Sequence, residues 1–283
     1  MNLKVKLRLF LLMQYILPQH GLSRMIGTLA DSEWPWLKNF LIRLFIQRFK
    51  IDLTDAKIKD PLAYKSFNAF FIRELEDPFP VSDNPRALCS PAEALLSEFG
   101  DIHLGMLIQA KNHNYTLDKL LAQQRTLART FEGGSFATLY LAPFNYHRVH
   151  MPIDGMLEEL VYVPGDLFSV NLATTHHVPE LFAKNERLIM IFNTAMGKLA
   201  VIMVGAMLVA GIENRFVPFT HSEKKSLQRR DVADAKIKVL QGAELGYFDF
   251  GSTVILLTEQ PFQVNVPGGP RVKLGDSLGV FKR

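Results

Sequence analysis

The 283-residue chain contains one cysteine, Cys89, so it can close no internal disulfide and gives no reason to expect an oxidising compartment. It also lacks any run of about 18 apolar residues, the length a membrane-spanning helix needs. Residues 9–23 are uncharged but include Gln14, Pro18, Gln19 and His20, and residues 199–212 are apolar for only 14 positions between Lys198 and Glu213. No small-residue cleavage site follows the N-terminal apolar stretch, so a signal peptide is not expected. There is no internal repeat and no low-complexity tract. Modest Gly and Pro counts (18 and 15) exclude a collagen-like chain, and 48% hydrophobic against 21% charged residues excludes disorder. What remains is one large or two small folded domains with a sizeable core.

The net charge of +4 is unevenly spread. Residues 1–50 carry eight Lys and Arg (Lys4, Lys6, Arg8, Arg24, Lys38, Arg43, Arg48, Lys50) against Asp31 and Glu33, a balance of +6 that leaves −2 for the other 233 residues. The basic character belongs to one end. Residues 3–17 and 36–50 there read as two helices, broken by Pro18, Gly21, Gly27 and Pro35. In the second, Leu37, Phe40, Leu41, Leu44, Phe45 and Phe49 follow helical spacing, with the basic residues elsewhere around the helix. Such a helix, with Trp34 and Trp36 at its start, suits either an anionic membrane interface or simple docking on its own domain.

Residues 61–77 read as a further short helix and its lead-in. From about Cys89 the pattern changes to short strand-like runs at 136–141, 157–163, 187–193, 199–204, 206–212 and 253–258, punctuated by Gly and Pro, with some helix within 112–130 and 178–185. The expected class is α+β: a helical N-terminal segment, residues 1–75, on a mostly antiparallel β domain, residues 76–283.

Four segments could carry chemistry. Tyr146-His147-Arg148-Val149-His150-Met151-Pro152 holds two histidines three apart, which share a face on a helical turn but oppose each other on a strand. They could be a half-buried structural pair, a catalytic pair, or two ligands of a metal lacking an obvious third. Gly251-Ser252-Thr253 enters an apolar strand and is either an ordinary turn or a placed nucleophile. Glu93, in Ser90-Pro91-Ala92-Glu93-Ala94, gains interest only as an orienting carboxylate beside His150 and Ser252. Residues 160–171 present Asp166, Ser169 and Asn171 around a Gly165-Asp166 turn, either plainly structural or facing a polar head group.

Taken together, QAKNHNYTLDKLL (109–121), LAPFNYHRVHMP (141–152), YVPGDLFSVN (162–171), LFAKNER (181–187) and GYFDFGSTV (246–254) resemble bacterial phosphatidylserine decarboxylase, as do MQYILPQ (13–19) and FNAFFIREL (67–75). The resemblance covers nearly the whole chain. It implies a proenzyme that cuts itself between Gly251 and Ser252 into a β chain (1–251) and an α chain (252–283), converting Ser252 into a covalent pyruvoyl group with no metal and no pyridoxal phosphate. That group would form a Schiff base with phosphatidylserine and release carbon dioxide and phosphatidylethanolamine. It also implies His150 as the base for self-cleavage, Glu93 as the carboxylate holding its tautomer, His147 as proton donor in decarboxylation, and Ser169 as a head-group contact. The implied partners are phosphatidylserine, an anionic membrane surface at the cytoplasmic face, and the enzyme's own two chains, with a homodimer as an open alternative and no nucleic acid.

Glu93-Ala94 stands where that family usually has Asp-Gly. The longer side chain moves the carboxylate, and Ala94 matters if the position requires a positive φ. The alternative is therefore a poorly processed or non-catalytic membrane-associated paralogue. A pyruvoyl decarboxylase of a soluble amino acid and a metal hydrolase built on His147 and His150 are more distant rivals.

Overall fold

The structure, a computed structural model, describes residues 3–76, 79–110, 113–207, 211–220, 223–249, 252–266 and 269–282. Its N-terminal part is helical: α1 (Leu3–Ile16), α2 (Gln19–Ala30), α3 (Pro35–Phe49) and the short α4 (Phe67–Phe71). The region between Pro18 and Pro35, expected as a break, is the separate helix α2. Both prolines sit at helix starts, where the missing N–H has no intrahelical acceptor to lose. Gly27 is buried together with Ser23 and Ala30, so the glycine that weakens the helix lies on its packed face. Ile42, Tyr64, Phe67, Phe70 and Phe71 form the core of this part, and the Lys38 ammonium donates to the carbonyls of Leu62 and Tyr64, each at 2.8 Å, closing α3 onto the following chain.

The rest is built on antiparallel strands, as expected. We label β1 (Ala94–Asp101), β2 (Ser135–Leu141), β3 (Arg148–His150), β4 (Gly155–Val163), β5 (Arg187–Thr194), β6 (Gly197–Val204), β7 (Ile212–Asn214), β8 (Glu244–Phe248) and β9 (Ser252–Thr258). The main sheet runs Gln228–Asp231, β4, β5, β6, β9, β2, β1, Arg271–Val272. A small sheet, β7-β8-β3, lies beside it, and Ala87–Cys89, Ser277–Phe281 and Phe262–Val264 form another. The expected strand over 206–212 is corrected: Ala206 and Met207 are not in a strand, residues 208–210 lie outside the described residues, and only Ile212 starts one, in the small sheet.

β9 sits between β2 and β6, and all seven of its residues are buried. Alternation sends Val254 and Leu256 to one face of the sheet and Ile255 and Leu257 to the other, so each face carries its own apolar core. A central strand covered on both faces must be apolar at every position, which is why 253–258 reads as an unbroken run rather than an alternating one.

Leu256→Ala, at a fully buried site, is expected to cost about 2–5 kcal/mol. Leu104→Ala, at a side chain 92% exposed, should change stability by less than about 0.5 kcal/mol. The urea midpoints of the two variants check the assignment of β9 as the core strand.

Candidate active site

Two ladders bring the histidine segment to the serine. β9 begins at Ser252, paired in register with Leu141 at the end of β2. Six residues after Leu141, the His147 carbonyl accepts from the Phe248 N–H at 3.1 Å, where β8 meets β3. Segment 141–147 is therefore tied at both ends to segment 248–252. Phe250 and Gly251, the residue expected before the cleaved bond, lie outside the described residues.

Ser252 is 0% exposed, and its hydroxyl has no hydrogen-bond partner among the described residues. It precedes Val254 by two, so it faces the same side of the sheet, toward the core that contains Val149 and Leu141. His147 is also 0% exposed and precedes Val149 by two. Its Nδ1–H donates to the Asn145 carbonyl at 2.8 Å, which leaves Nε2 as a lone pair, buried and unpartnered. Its ring packs on Phe71 of α4, with centroids 4.2 Å apart. Burial, helped by the charge of Arg73, pushes its pKa down to about 3, so the imidazole is neutral at ordinary pH.

His150 stands between the rings of Tyr146 and Phe79. The Gly242 carbonyl, 2.8 Å from Nδ1, takes that proton, and Nε2 accepts from the Tyr146 hydroxyl at 3.1 Å. Burial lowers its pKa as well. Gly242 has φ +84°, and a Cβ there would come within 2.9 Å of Phe79, so glycine is needed for this carbonyl to reach the ring. Nothing in the sequence singles this residue out beyond a glycine in a polar turn.

Glu93 does not touch His150. Its carboxylate accepts from the Asn145 side-chain amide at 2.6 Å and the Tyr146 N–H at 3.2 Å, while Asn145 Oδ1 accepts from the Ala142 N–H. The expectation that Glu93 holds the tautomer of His150 is thus corrected: Gly242 does that, and Glu93 braces the turn whose Asn145 carbonyl holds His147 and whose Tyr146 bonds His150. Ala94 opens β1 and is not among the residues with positive φ, so alanine meets no backbone penalty there. Arg148 is structural. It donates to the Ile72 carbonyl and pairs with Glu244 at 2.9 Å, fastening β3 to the chain after α4.

Ser169 lies apart from this hydrogen-bonded group. Its N–H donates to Gln14 of α1, the Leu167 N–H donates to Gln19 of α2, and His20 Nε2 lies 3.0 Å from the Gly165 carbonyl. MQYILPQ therefore docks on the VPGDLFS loop. Among the described residues no group of three or more His, Cys, Asp or Glu is arranged to hold a metal ion.

Asp249 ties the serine's approach to the helices. The Asn68 amide of α4 bridges Asp249 (3.2 Å) and Asp31 (2.9 Å). Burial first, and the neighbouring carboxylates of Glu213 and Asp31 next, push the pKa of Asp249 up to about 6. A raised carboxyl pKa favours the protonated fold, so its contribution is full below 3.8 and lost as pH rises through 6. Asp249→Asn, which does not titrate, should gain stability on the wild type between pH 4 and pH 8, by up to about 3 kcal/mol. Thermal melts across that range check the sign.

A family profile described as phosphatidylserine decarboxylase matches residues 67–280, and a second, described as PSD, matches residues 9–50. The phosphatidylserine decarboxylase proenzyme of Azotobacter vinelandii is 47% identical over 278 residues, covering 97% of this chain and 94% of that protein. Proenzymes of the same name from Alcanivorax borkumensis (46%, covering 97% and 96%) and Stutzerimonas stutzeri (44%, covering 97% and 91%) are similar over comparable lengths.

Proposed function

The chain belongs to the phosphatidylserine decarboxylase family, and from that premise we propose that it is a self-cleaving proenzyme that decarboxylates phosphatidylserine. The observation that carries this is the pairing of a fully buried serine whose hydroxyl has no partner with a histidine turn tied to it at both ends. A hydroxyl left unpaired in a dry site costs folding free energy, and a role in self-cleavage supplies a reason for keeping it there.

In self-cleavage the Ser252 Oγ attacks the Gly251 carbonyl carbon while a base takes the hydroxyl proton, and the acyl group passes from nitrogen to oxygen. Loss of the residue-252 α-proton then expels the Gly251 carboxylate. The resulting dehydroalanine takes up water and releases ammonia. His150 suits the base because Gly242 keeps its proton on Nδ1 and leaves Nε2 basic, its present donor being a hydroxyl free to rotate away. His147, held neutral, can donate only a proton it has first accepted, which fits a group that receives one proton and returns it to the substrate carbon. A second assignment, with His147 as the first base, is favoured by one observation: among the described residues its Nε2 and the Ser252 Oγ are both buried and unpartnered.

The burial of Ser252 in an apolar core with a free hydroxyl fits a pyruvoyl group at this position, which when formed supplies an electron sink for the bond to the departing carboxylate. The residues around it exclude water and carry protons. Ser169 is assigned to the head-group side because its loop is held by α1 and α2, the basic helices.

No helix among the described residues is long and apolar enough to cross a membrane. Contact with a lipid surface is supported by Trp34, Trp36, Phe40 and Leu44, all more than half exposed, beside the exposed Arg43. We assign residues 1–75 to that contact and the remainder to catalysis.

Intact mass tests cleavage directly. Wild-type protein should resolve into chains of 1–251 and 252–283, the smaller lacking its amino nitrogen, and Ser252→Ala should stay whole. His150→Gln should slow cleavage by at least about 10²-fold while His147→Gln cleaves but forms no phosphatidylethanolamine; the reverse pattern selects the second assignment. A wild type that stays whole on phosphatidylserine vesicles overturns the proposal. Separately, a Trp36→Ala/Phe40→Ala/Leu44→Ala variant should fold normally and lose at least about tenfold in affinity for anionic vesicles in flotation assays.

A further inference from the structure

Three arginines are buried among the described residues, and two of them are saturated. Arg187 donates to the carbonyls of Leu120, Ala183, Asn185 and Lys119, and Arg148 to Ile72 and Glu244. Arg73 differs. It is only 7% exposed, yet among the described residues its guanidinium makes no hydrogen bond and has no carboxylate within 4 Å; the charge of Glu93 acts on it from further away, and the Phe70 ring lies 5.9 Å off. A nearly buried cation with no directly bonded counter-charge leaves its fork of N–H groups open to a ligand oxyanion.

Arg73 lines a cavity of about 530 Å³ that also receives Lys50 and Lys273, both exposed and neither paired with a carboxylate among the described residues. The acidic groups on this cavity are Glu93, Asp52 and Asp55. Glu93 is bonded to Asn145 and Tyr146, Asp52 is bonded to the backbone and hydroxyl of Thr54, and Asp55 is exposed. Arg73, Lys50 and Lys273, none of them bonded to those carboxylates among the described residues, present three donor-only groups to an oxyanion. The wall beside them is aromatic: Phe49, the last residue of α3, lies against Phe144 with ring centroids 6.3 Å apart. Helix α3 also carries the exposed Trp36, Phe40 and Leu44, so an apolar path leads from that surface toward the cations.

We infer that this cavity is a binding site for the phosphate of an anionic phospholipid, with Arg73 as its central contact, Lys50 and Lys273 at its mouth, and Phe49 and Phe144 against the start of the acyl chains. Guanidinium suits this role because its fork of N–H groups matches phosphate oxygens in pairs. The inference deepens the proposed function by naming where the lipid's phosphate is held, a contact separate from the one assigned to Ser169, and it rests on that reading only for the lipid's identity.

The test uses full-length Ser252→Ala protein, in which no turnover occurs, titrated calorimetrically with soluble dihexanoylphosphatidylserine and, in a separate arm, with inorganic phosphate. The lipid should bind at least tenfold more tightly than phosphate. Arg73→Gln should weaken lipid binding tenfold or more, with partial recovery in Arg73→Lys. Lys50→Gln and Lys273→Gln, at exposed positions, should each weaken it about threefold with an unchanged melting temperature. Unchanged lipid affinity in folded Arg73→Gln overturns the site, and equal affinity for lipid and phosphate overturns its assignment to lipid. Should Arg73→Gln fail to fold, unchanged binding in both lysine variants overturns it instead. Wild-type protein that stays uncleaved while Ser252→Ala binds lipid through Arg73 refutes the decarboxylase reading and leaves this site standing.

Discussion

The arrangement of the site depends on one backbone hydrogen bond, from the Phe248 N–H to the His147 carbonyl, acting with the pairing of Ser252 and Leu141. Between them these links make a closed loop from two segments far apart in sequence. One is a turn that carries Asn145, Tyr146 and His147; the other is the approach to Ser252. The histidine turn has too little local structure to hold a side chain to within a few tenths of an ångström by itself. Tied at both ends to strands of two sheets, it has little freedom left, and positioning on rigid elements is what reactive groups require.

Much of the fold is legible in the sequence because the core strands are apolar on both faces. The runs 136–141, 157–163, 187–193, 199–204 and 253–258 all coincide with strands of the main sheet. Ala206 and Met207 carry the same apolar signature without lying in a strand, since composition alone does not separate strand from loop. Helix α2 escapes the reading for a related reason. Prolines and glycines were weighed as breakers, yet a proline at a helix start and a glycine on a packed face cost little. Within the site, the residue types of the Tyr146–Pro152 segment and of Ser252 stand out by their chemistry. The division of labour does not. That Gly242 rather than Glu93 faces His150 Nδ1 follows from a register between residues 92 positions apart, which no local pattern records.

The helical segment and the site are joined mechanically. Phe71 of α4 supplies the ring against His147, Asn68 of α4 bonds Asp249 three residues before Ser252, and Gln14 and Gln19 fasten α1 and α2 to the loop holding Ser169. The helical segment thus reaches the approach to the buried serine through a few side chains. This explains why the basic end is folded into the molecule rather than attached by a linker: displacing α4 exposes His147, and its pKa then returns toward the usual imidazole range because burial is the main reason it is low.

Dryness is the condition that makes these groups reactive, and it also sets their limits. A neutral imidazole and a hydroxyl in an apolar core each meet little competition from solvent for a reacting partner. Burial is the main reason the His147 ring stays neutral, and the charge of Arg73 lowers its basicity a little further. The groups that carry protons here are thus set by the packing around them more than by their neighbours' charges.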